Sequence, residues 1–392
     1  MSMSKYKICF WNYEKIGKIS AAHAVRDWKD AGMNFAMSFE YNSACDKPEL
    51  MLELLDECLA NGIQLIICDK RFRFETYQQV GERAFRKGVQ EAVNEFGSHN
   101  ATYAFHVGDE PNKDTWEAAR AAFKIVQEES NGKKAFINMY PTWTTPDFED
   151  LLGMTIPEYM EALTEFIIDT KAEMLSFDCY SQCTYSDKAA GIDNFIRNLR
   201  LYLEVAKKTG VELFVSILSV GHWNMRVPTQ DDIRWQVNIC AAHGASGLFW
   251  FYFYQRYLED NYREGPINCF GERTATYDKI SFQNRFFALN YAQRLEALTH
   301  EKVSYFGGDF GGCERFEEDE ELRSLQTEVN ECPICVTRWR NAEGKACYSF
   351  VNASQEFPTR LVLDFKGWLS ANNGKRWLAP GQILIVDEHG IV

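Results

Sequence analysis

The feature that most constrains this chain is an alternation, repeated eight times between residue 6 and about 300, of a short apolar run and a longer amphipathic segment. The apolar runs, read as strands, are Tyr6–Trp11, Asn34–Phe39, Ile63–Cys68, Tyr103–Val107, Ala135–Met139, Glu173–Phe177, Glu212–Leu218 and Ser246–Tyr252. Helical periodicity fills the intervals near 20–31, 48–61, 75–97, 113–130, 156–170, 187–208, 229–243 and 279–298. Strands that alternate with helices form parallel sheets, because a parallel neighbour needs a long crossover. Eight such units predict an α/β fold closed as a (β/α)8 TIM barrel, not an open doubly wound sheet. Glycines at 32, 62, 132, 210 and 244 fall just before a strand, where a helix commonly ends.

From about residue 301 the pattern changes. After the acidic stretch 314–321, alternating runs at 335–339, 346–351, 360–365 and 382–386 are separated by Gly, Asn and Pro. This predicts a small antiparallel, sandwich-like β domain over 301–392, following a catalytic barrel over 1–300.

A net charge of −14 argues against a nucleic-acid partner, which would require a basic surface. No apolar run is long enough for a membrane span. The N-terminus lacks a signal-peptide core, and many of the 12 cysteines lie inside apolar runs, so a reducing, cytoplasmic setting is expected. Cys332 and Cys335 form a lone pair without further ligands, and no metal is expected. Residues 307–312 are glycine-rich but neither follow a strand in a βαβ unit nor open a helix, so they read as a linker, and no cofactor is expected. A β tail can pack on its own barrel or on a neighbour's, which leaves a homo-oligomer open.

In a barrel of this kind the C-terminal ends of the strands line one mouth. Here they carry Trp11 and Asn12; Glu40 and Tyr41; Asp69, Lys70 and Arg71; Asp109 and Glu110; Tyr140 and Trp143; Asp178 and Tyr180; His222 and Trp223; and Trp250, Tyr252 and Tyr254. Glycoside hydrolysis requires one carboxylic acid to protonate the leaving oxygen and a second carboxylate to act as nucleophile or to activate water. Aromatic faces suit sugar C–H groups, and polar side chains suit the hydroxyls. The candidate substrate contacts are therefore Trp11, Glu40, Asp69, Lys70, Asp109, Tyr140, Trp143, Tyr180, His222, Trp250 and Tyr252. Bland alternatives stand beside these. Asp109 and Glu110 could cap the next helix, Asp178 could bond loop amides, and Glu40 could pair with Lys70 or Arg71. His106, inside a strand, reads as a satisfied core histidine, and about half of the aromatic run 250–254 should pack under the helices.

The segment Val107-Gly108-Asp109-Glu110-Pro111 resembles the Asn-Glu-Pro acid/base motif of clan A glycoside hydrolases, a group of retaining (β/α)8 enzymes. The resemblance implies that Glu110 is the general acid/base. Two departures stand out. Asp109 replaces the clan's Asn, and strand seven, whose end carries the clan's nucleophilic Glu, has its only Glu at its start, Glu212. The second carboxylate must come from elsewhere. Asp178, ending strand six, is the first choice, followed by Glu40 and Asp109. With the segment 135–141, these residues resemble a poorly characterised set of glycosidase-like barrels that carry Gly-Asp-Glu-Pro on strand four and Asp on strand six. A wide gap between Glu110 and Asp178 would imply inversion, and a close approach a nucleophilic Asp178.

The expectation is a glycoside hydrolase acting on a small saccharide or glycoside. The alternatives are a non-catalytic carbohydrate-binding barrel and a barrel aldolase or metal-dependent isomerase using Lys70, Asp69 and His222.

Overall fold

The computed structural model describes residues 6–143, 146–255, 261–367, 374–387 and 390–391. Eight parallel strands close into a barrel: β1 (Lys7–Phe10), β2 (Phe35–Met37), β3 (Gln64–Ile67), β4 (Thr102–Asp109), β5 (Lys134–Asn138), β6 (Met174–Asp178), β7 (Glu212–Leu218) and β8 (Gly247–Phe251). They pair in two four-stranded arcs, β2-β3-β4-β5 and β1-β8-β7-β6. Two seams join the arcs. At one, Met139 N–H donates to Ser176 O at 2.9 Å. At the other, the Asn34 side chain stands in for a strand, accepting from Ile8 N–H and donating to Tyr6 O, each at 2.8 Å.

The helices α1 (Ala21–Asp30), α2 (Pro48–Asn61), α3 (Phe74–Phe96), α4 (Trp116–Glu129), α5 (Pro146–Leu152), α6 (Ile156–Thr170), α7 (Lys188–Thr209), α8 (Gln230–Ala242) and α9 (Ala275–Phe287) follow their strands, with α5 an extra turn before α6. Gly62 and Gly210 end α2 and α7 in the left-handed conformation, at φ 72° and 74°. That conformation satisfies the last helical carbonyls and suits a residue without Cβ. The eighth helix begins four residues earlier than its periodicity predicts and passes through a π turn at 288–292. No helix among the described residues is long and apolar enough to cross a membrane.

Apolar side chains form two layers in the barrel. Cys9, Trp11, Met37, Ile66, Phe136, Phe214 and Phe249 fill the lumen, with Phe136 and Phe249 stacked at 5.0 Å. A larger layer lies between the strands and the helices. The lumen is thus a packed core, and only its C-terminal mouth is free for chemistry.

The chain then forms two antiparallel sheets. The larger contains β9 (Thr299–Phe306), β10 (Glu314–Arg315), β12 (Ile334–Arg340), β13 (Ala346–Asn352), β16 (Ile383–Asp387) and β17 (Gly390–Ile391), with only the short β10 parallel to its neighbour. The smaller contains β11 (Leu322–Glu328), β14 (Thr359–Phe365) and β15 (Lys375–Leu378). The fold is therefore a (β/α)8 barrel followed by a small β domain. A separate apolar cluster, including Leu325, Phe350, Leu363 and Phe365, lies between the two sheets. β9, β11 and β15 were not among the predicted strands: β9 and β11 are short of apolar residues at one or both faces, as suits half-covered strands.

The outer face of the larger sheet covers α8, of whose 13 residues ten are buried. Trp235 Nε1–H donates to Ala353 O, and Asn238 Nδ2–H to Gly381 O, both at 2.8 Å. The glycine-rich segment 307–312, predicted to be a linker, is instead docked on α7: Gly311 N–H donates to Asp193 Oδ1 at 2.6 Å, and Arg200 Nε–H donates to Gly311 O at 2.9 Å.

Candidate active site

The mouth is organised by a fault in β4. Pairing with β5 slips between His106 and Gly108, so the strand carries one residue more than its partner there. Such a bulge shifts the in-out phase of the residues after it against those before it. Gly108 makes the bend feasible, because a Cβ at that position would lie 2.1 Å from the Phe74 ring. Glu110 follows in the left-handed region at φ 46°, its N–H still donating to Asn138 O of β5 at 2.9 Å. That conformation costs a non-glycine residue on the order of 1 kcal/mol, and its result is that both carboxylates face β6. Neither caps α4, whose N-cap is Thr115.

Asn138 ties the group together. Its Nδ2 donates to Asp109 Oδ1 at 3.1 Å and to Asp178 Oδ1 at 2.8 Å, while Ser176 Oγ–H donates to its Oδ1 at 2.9 Å and fixes the amide's orientation. Glu110 and Asp178 lie close enough to share a hydrogen bond, and the Tyr180 hydroxyl lies near Asp178. Two carboxyl groups can share such a bond only with a proton between them. Burial, then the charges of Asp178 and Asp109, push the Glu110 carboxyl far above the usual range. Burial and Asp178 raise Asp109, with Asn138 and Arg73 opposing. Asp178 is raised by burial and held down by Asn138 and its other donors. The proton therefore belongs on Glu110, and the amide of Asn138 favours ionised Asp109 and Asp178. The Tyr140 phenol is pushed up to about 12 by burial and these three acids, and it remains a donor.

Beside Asp109 opens a cavity of about 340 Å³, lined by Trp11, Asn12, Tyr13, Glu40, Tyr41, Asp69, Lys70, Arg73, Glu75 and His106 among others. It brings together five of the predicted contacts: Trp11, Glu40, Asp69, Lys70 and Asp109. Asp69 is fully buried and Arg71 engages both its oxygens, at 3.2 and 2.7 Å, while also reaching Glu95. Arg71 is thus Asp69's partner and not Glu40's. His106 is satisfied, as predicted, yet faces the cavity: Arg73 donates to Nδ1 at 2.9 Å, and Nε2–H donates to Gly108 O at 3.0 Å. Those partners fix a neutral ring, and burial with Arg73 holds its pKa well below the usual value.

Across the mouth stands a wall of rings. Tyr180 stacks on Phe251 at 5.0 Å, and His222 lies 5.5 Å from Tyr262 and 5.3 Å from Trp223. Burial pushes His222 down to about 4, so it is neutral at pH 7. Trp223 is 68% exposed and leads the wall to solvent. Tyr140 and Trp143 form a separate edge, with rings 6.2 Å apart, beside the carboxylates but outside the cavity lining.

Two predicted contacts are corrected. Trp250 has no exposure and donates Nε1–H to Asn284 of α9 at 3.1 Å, because strand alternation turns it outward into the helix layer. Tyr252 is also buried, beneath Tyr13 at 5.9 Å and Tyr262 at 4.9 Å, and it supports the wall from behind. Asn138, Arg73, Tyr13 and Tyr262 were not singled out. For Asn138 the signal lay in its place at the end of strand five, two residues before Tyr140.

No family model and no curated protein matches the sequence. Solved structures do. A glycoside hydrolase family 5 protein from Bacteroides vulgatus ATCC 8482 is similar over 98% of this chain and 90% of its own, at 11% identity and a TM-score of 0.60. The β-galactosidases from the psychrophilic Marinomonas ef1 and from Rahnella sp. R3 are each similar over 75% of this chain, at 10% identity and a TM-score of 0.54. The chain spans 62% and 57% of their lengths. The fold is the one these barrel glycoside hydrolases have. At such identities the likeness speaks for the fold, and the chemistry must be argued from the mouth itself.

Proposed function

We propose that this protein is a glycoside hydrolase acting on a small saccharide or glycoside, with Glu110 as general acid and Asp178 as its partner carboxylate. The observation that carries this reading is the hydrogen-bonded pair of Glu110 and Asp178 at the mouth of a barrel, one bond from a cavity that reaches Asp109. A sugar ring lies in that cavity, with Asn12, Lys70 and Arg73 near its hydroxyls and the rings of Trp11 and Tyr13 against its C–H faces. Glu110 holds its proton at neutral pH and delivers it to the leaving oxygen. As positive charge develops at the anomeric carbon, Asp178 stabilises it, helped by the ionised fraction of Asp109, whose carboxyl is pushed up to about 7, and both are already oriented by Asn138. A reducing, cytoplasmic setting suits the chain, whose cysteines are all free thiols.

Strand seven ends in Ser219-Val220-Gly221-His222, without a carboxylate, which favours the second reading, a carbohydrate-binding barrel that does not turn over its ligand. A panel of aryl α- and β-glycosides, offered to the wild type and to Glu110→Gln, separates the two. Aglycone release that disappears in the variant supports the hydrolase. Binding to the wild type with no release from any glycoside supports the binding barrel.

A further inference from the structure

Among the described residues, the mouth holds an acid but no second carboxylate set opposite it at the usual separation. Retaining hydrolysis needs carboxyl groups about 5–5.5 Å apart, and inverting hydrolysis about 6.5–9.5 Å, to admit the sugar or a water. Glu110 and Asp178 touch, and Asp109 shares the same Asn138 amide, so no two of the three flank a ring from opposite faces. The other carboxylates of the cavity are engaged by cations or open to solvent. Asp69 is clamped by Arg71, Glu75 pairs with Arg73 at 3.3 Å, and Glu40 stands on the exposed side.

From this we infer that the substrate supplies the nucleophile itself: the mouth takes 2-acetamido-2-deoxy glycosides, and Asp178 holds the acetamido N–H. The inference rests on the hydrolase reading. Its geometric support is that the leaving oxygen on C1 and the acetamido nitrogen on C2 sit on adjacent carbons. The acid that serves one and the carboxylate that serves the other must therefore converge, as Glu110 and Asp178 do. The stacked Tyr180 and Phe251 rings beside Asp178 offer the acetamido methyl an apolar wall.

In the first step the acetamido carbonyl oxygen bonds to C1. The bond from C1 to the leaving oxygen breaks with its electron pair, and that oxygen takes the proton of Glu110. The cyclic oxazolinium ion that results carries one positive charge, facing ionised Asp178. In the second step water bonds to C1 and gives its proton to the Glu110 carboxylate. The bond from C1 to the amide oxygen breaks, which restores the acetamide and retains the anomeric configuration. Back-side attack requires the leaving group to be trans to the acetamido group.

The test compares 4-nitrophenyl 2-acetamido-2-deoxy-β-glucoside and β-galactoside with their α anomers and with the corresponding 2-hydroxy glycosides. The expected result is release from the β acetamido substrates alone, on the order of 100-fold or more above the 2-hydroxy pair in kcat/KM. The first-formed sugar is retained by NMR, a thiazoline analogue of the cyclic ion inhibits, and Asp178→Asn loses kcat more than KM. Equal cleavage of 2-hydroxy glycosides overturns the inference while leaving the hydrolase reading intact, as does an inverted product or a covalent adduct of a 2-deoxy-2-fluoro glycoside on Glu40 or any other carboxylate. No release from any glycoside overturns the hydrolase reading, and this inference falls with it.

Discussion

The ends of β4, β5 and β6 and the ends of β7, β8 and β1 face each other across the mouth and are held by different forces. On the first side, each group is fixed by a named hydrogen bond: Ser176 orients Asn138, Asn138 orients Asp109 and Asp178, and Asp178 meets Glu110. On the second, Phe251, His222, Tyr262 and Tyr252 pack ring on ring, and Tyr180, from the end of β6, stacks onto them across the mouth. The polar side stores unfavourable charge burial, while the aromatic side gains from burial. Burying three carboxyls together is costly on one side, and the surrounding rings exclude the water that would relieve that cost.

The contrast can be broken most severely at Glu110. Glu110→Gln should lower kcat by about 1,000-fold, read as aglycone release. The same variant should stabilise the fold at pH 7 by about 1–3 kcal/mol. Its folded pKa is raised, so the stability of the wild type is fullest below the ordinary carboxylate range and is lost as pH rises toward the folded pKa. Gln removes that loss, and the gain should vanish below about pH 4, as denaturation midpoints across pH will report. An unchanged midpoint at pH 7 would mean that the polar side is not strained.

Gly108→Ala should cost about 1–3 kcal/mol and reduce turnover, because its Cβ must displace the Phe74 ring and straighten the bulge. Asn138→Ala removes the donor that lowers Asp109 and Asp178, so their pKa values rise and the acidic limb of the rate profile should move up by about one pH unit. Full activity at the wild type's lower limb would sink the role given to Asn138. The smallest effect belongs to Trp250→Phe. Loss of its bond to Asn284 should cost about 1 kcal/mol of stability and leave kcat/KM unchanged, the reverse of what a substrate contact predicts.

The barrel was legible because its signal is repeated: eight apolar runs at helix-length spacing leave little choice of topology. The mouth was legible only as a set of strand ends. Trp250 and Tyr252 share strand eight's end with residues of the wall, and composition does not reveal which ring turns outward. Strict alternation would have placed only one of Asp109 and Glu110 at the mouth. The left-handed Glu110 breaks that alternation, and the bulge before it depends on where Phe74 of α3 packs, a contact between residues 34 positions apart in sequence. Asp69 and Arg71 had the right charges for a site, yet burial pairs them with each other. The edge strands β11 and β15 escaped notice because half of each faces water and their pattern is diluted.

The cover over α8 bears on how the chain is made. Synthesis runs from the N-terminus, so when β8 leaves the ribosome the barrel has all its strands but α8 still shows Trp235 and Asn238 to solvent. Their partners, the carbonyls of Ala353 and Gly381, emerge more than a hundred residues after α8. A nascent chain stalled near residue 300 would therefore present an apolar helix face with unsatisfied polar groups, a surface that chaperones bind and proteases cut. The sheet that closes over α8 is thus the last part of the chain on which the barrel's own helix layer depends.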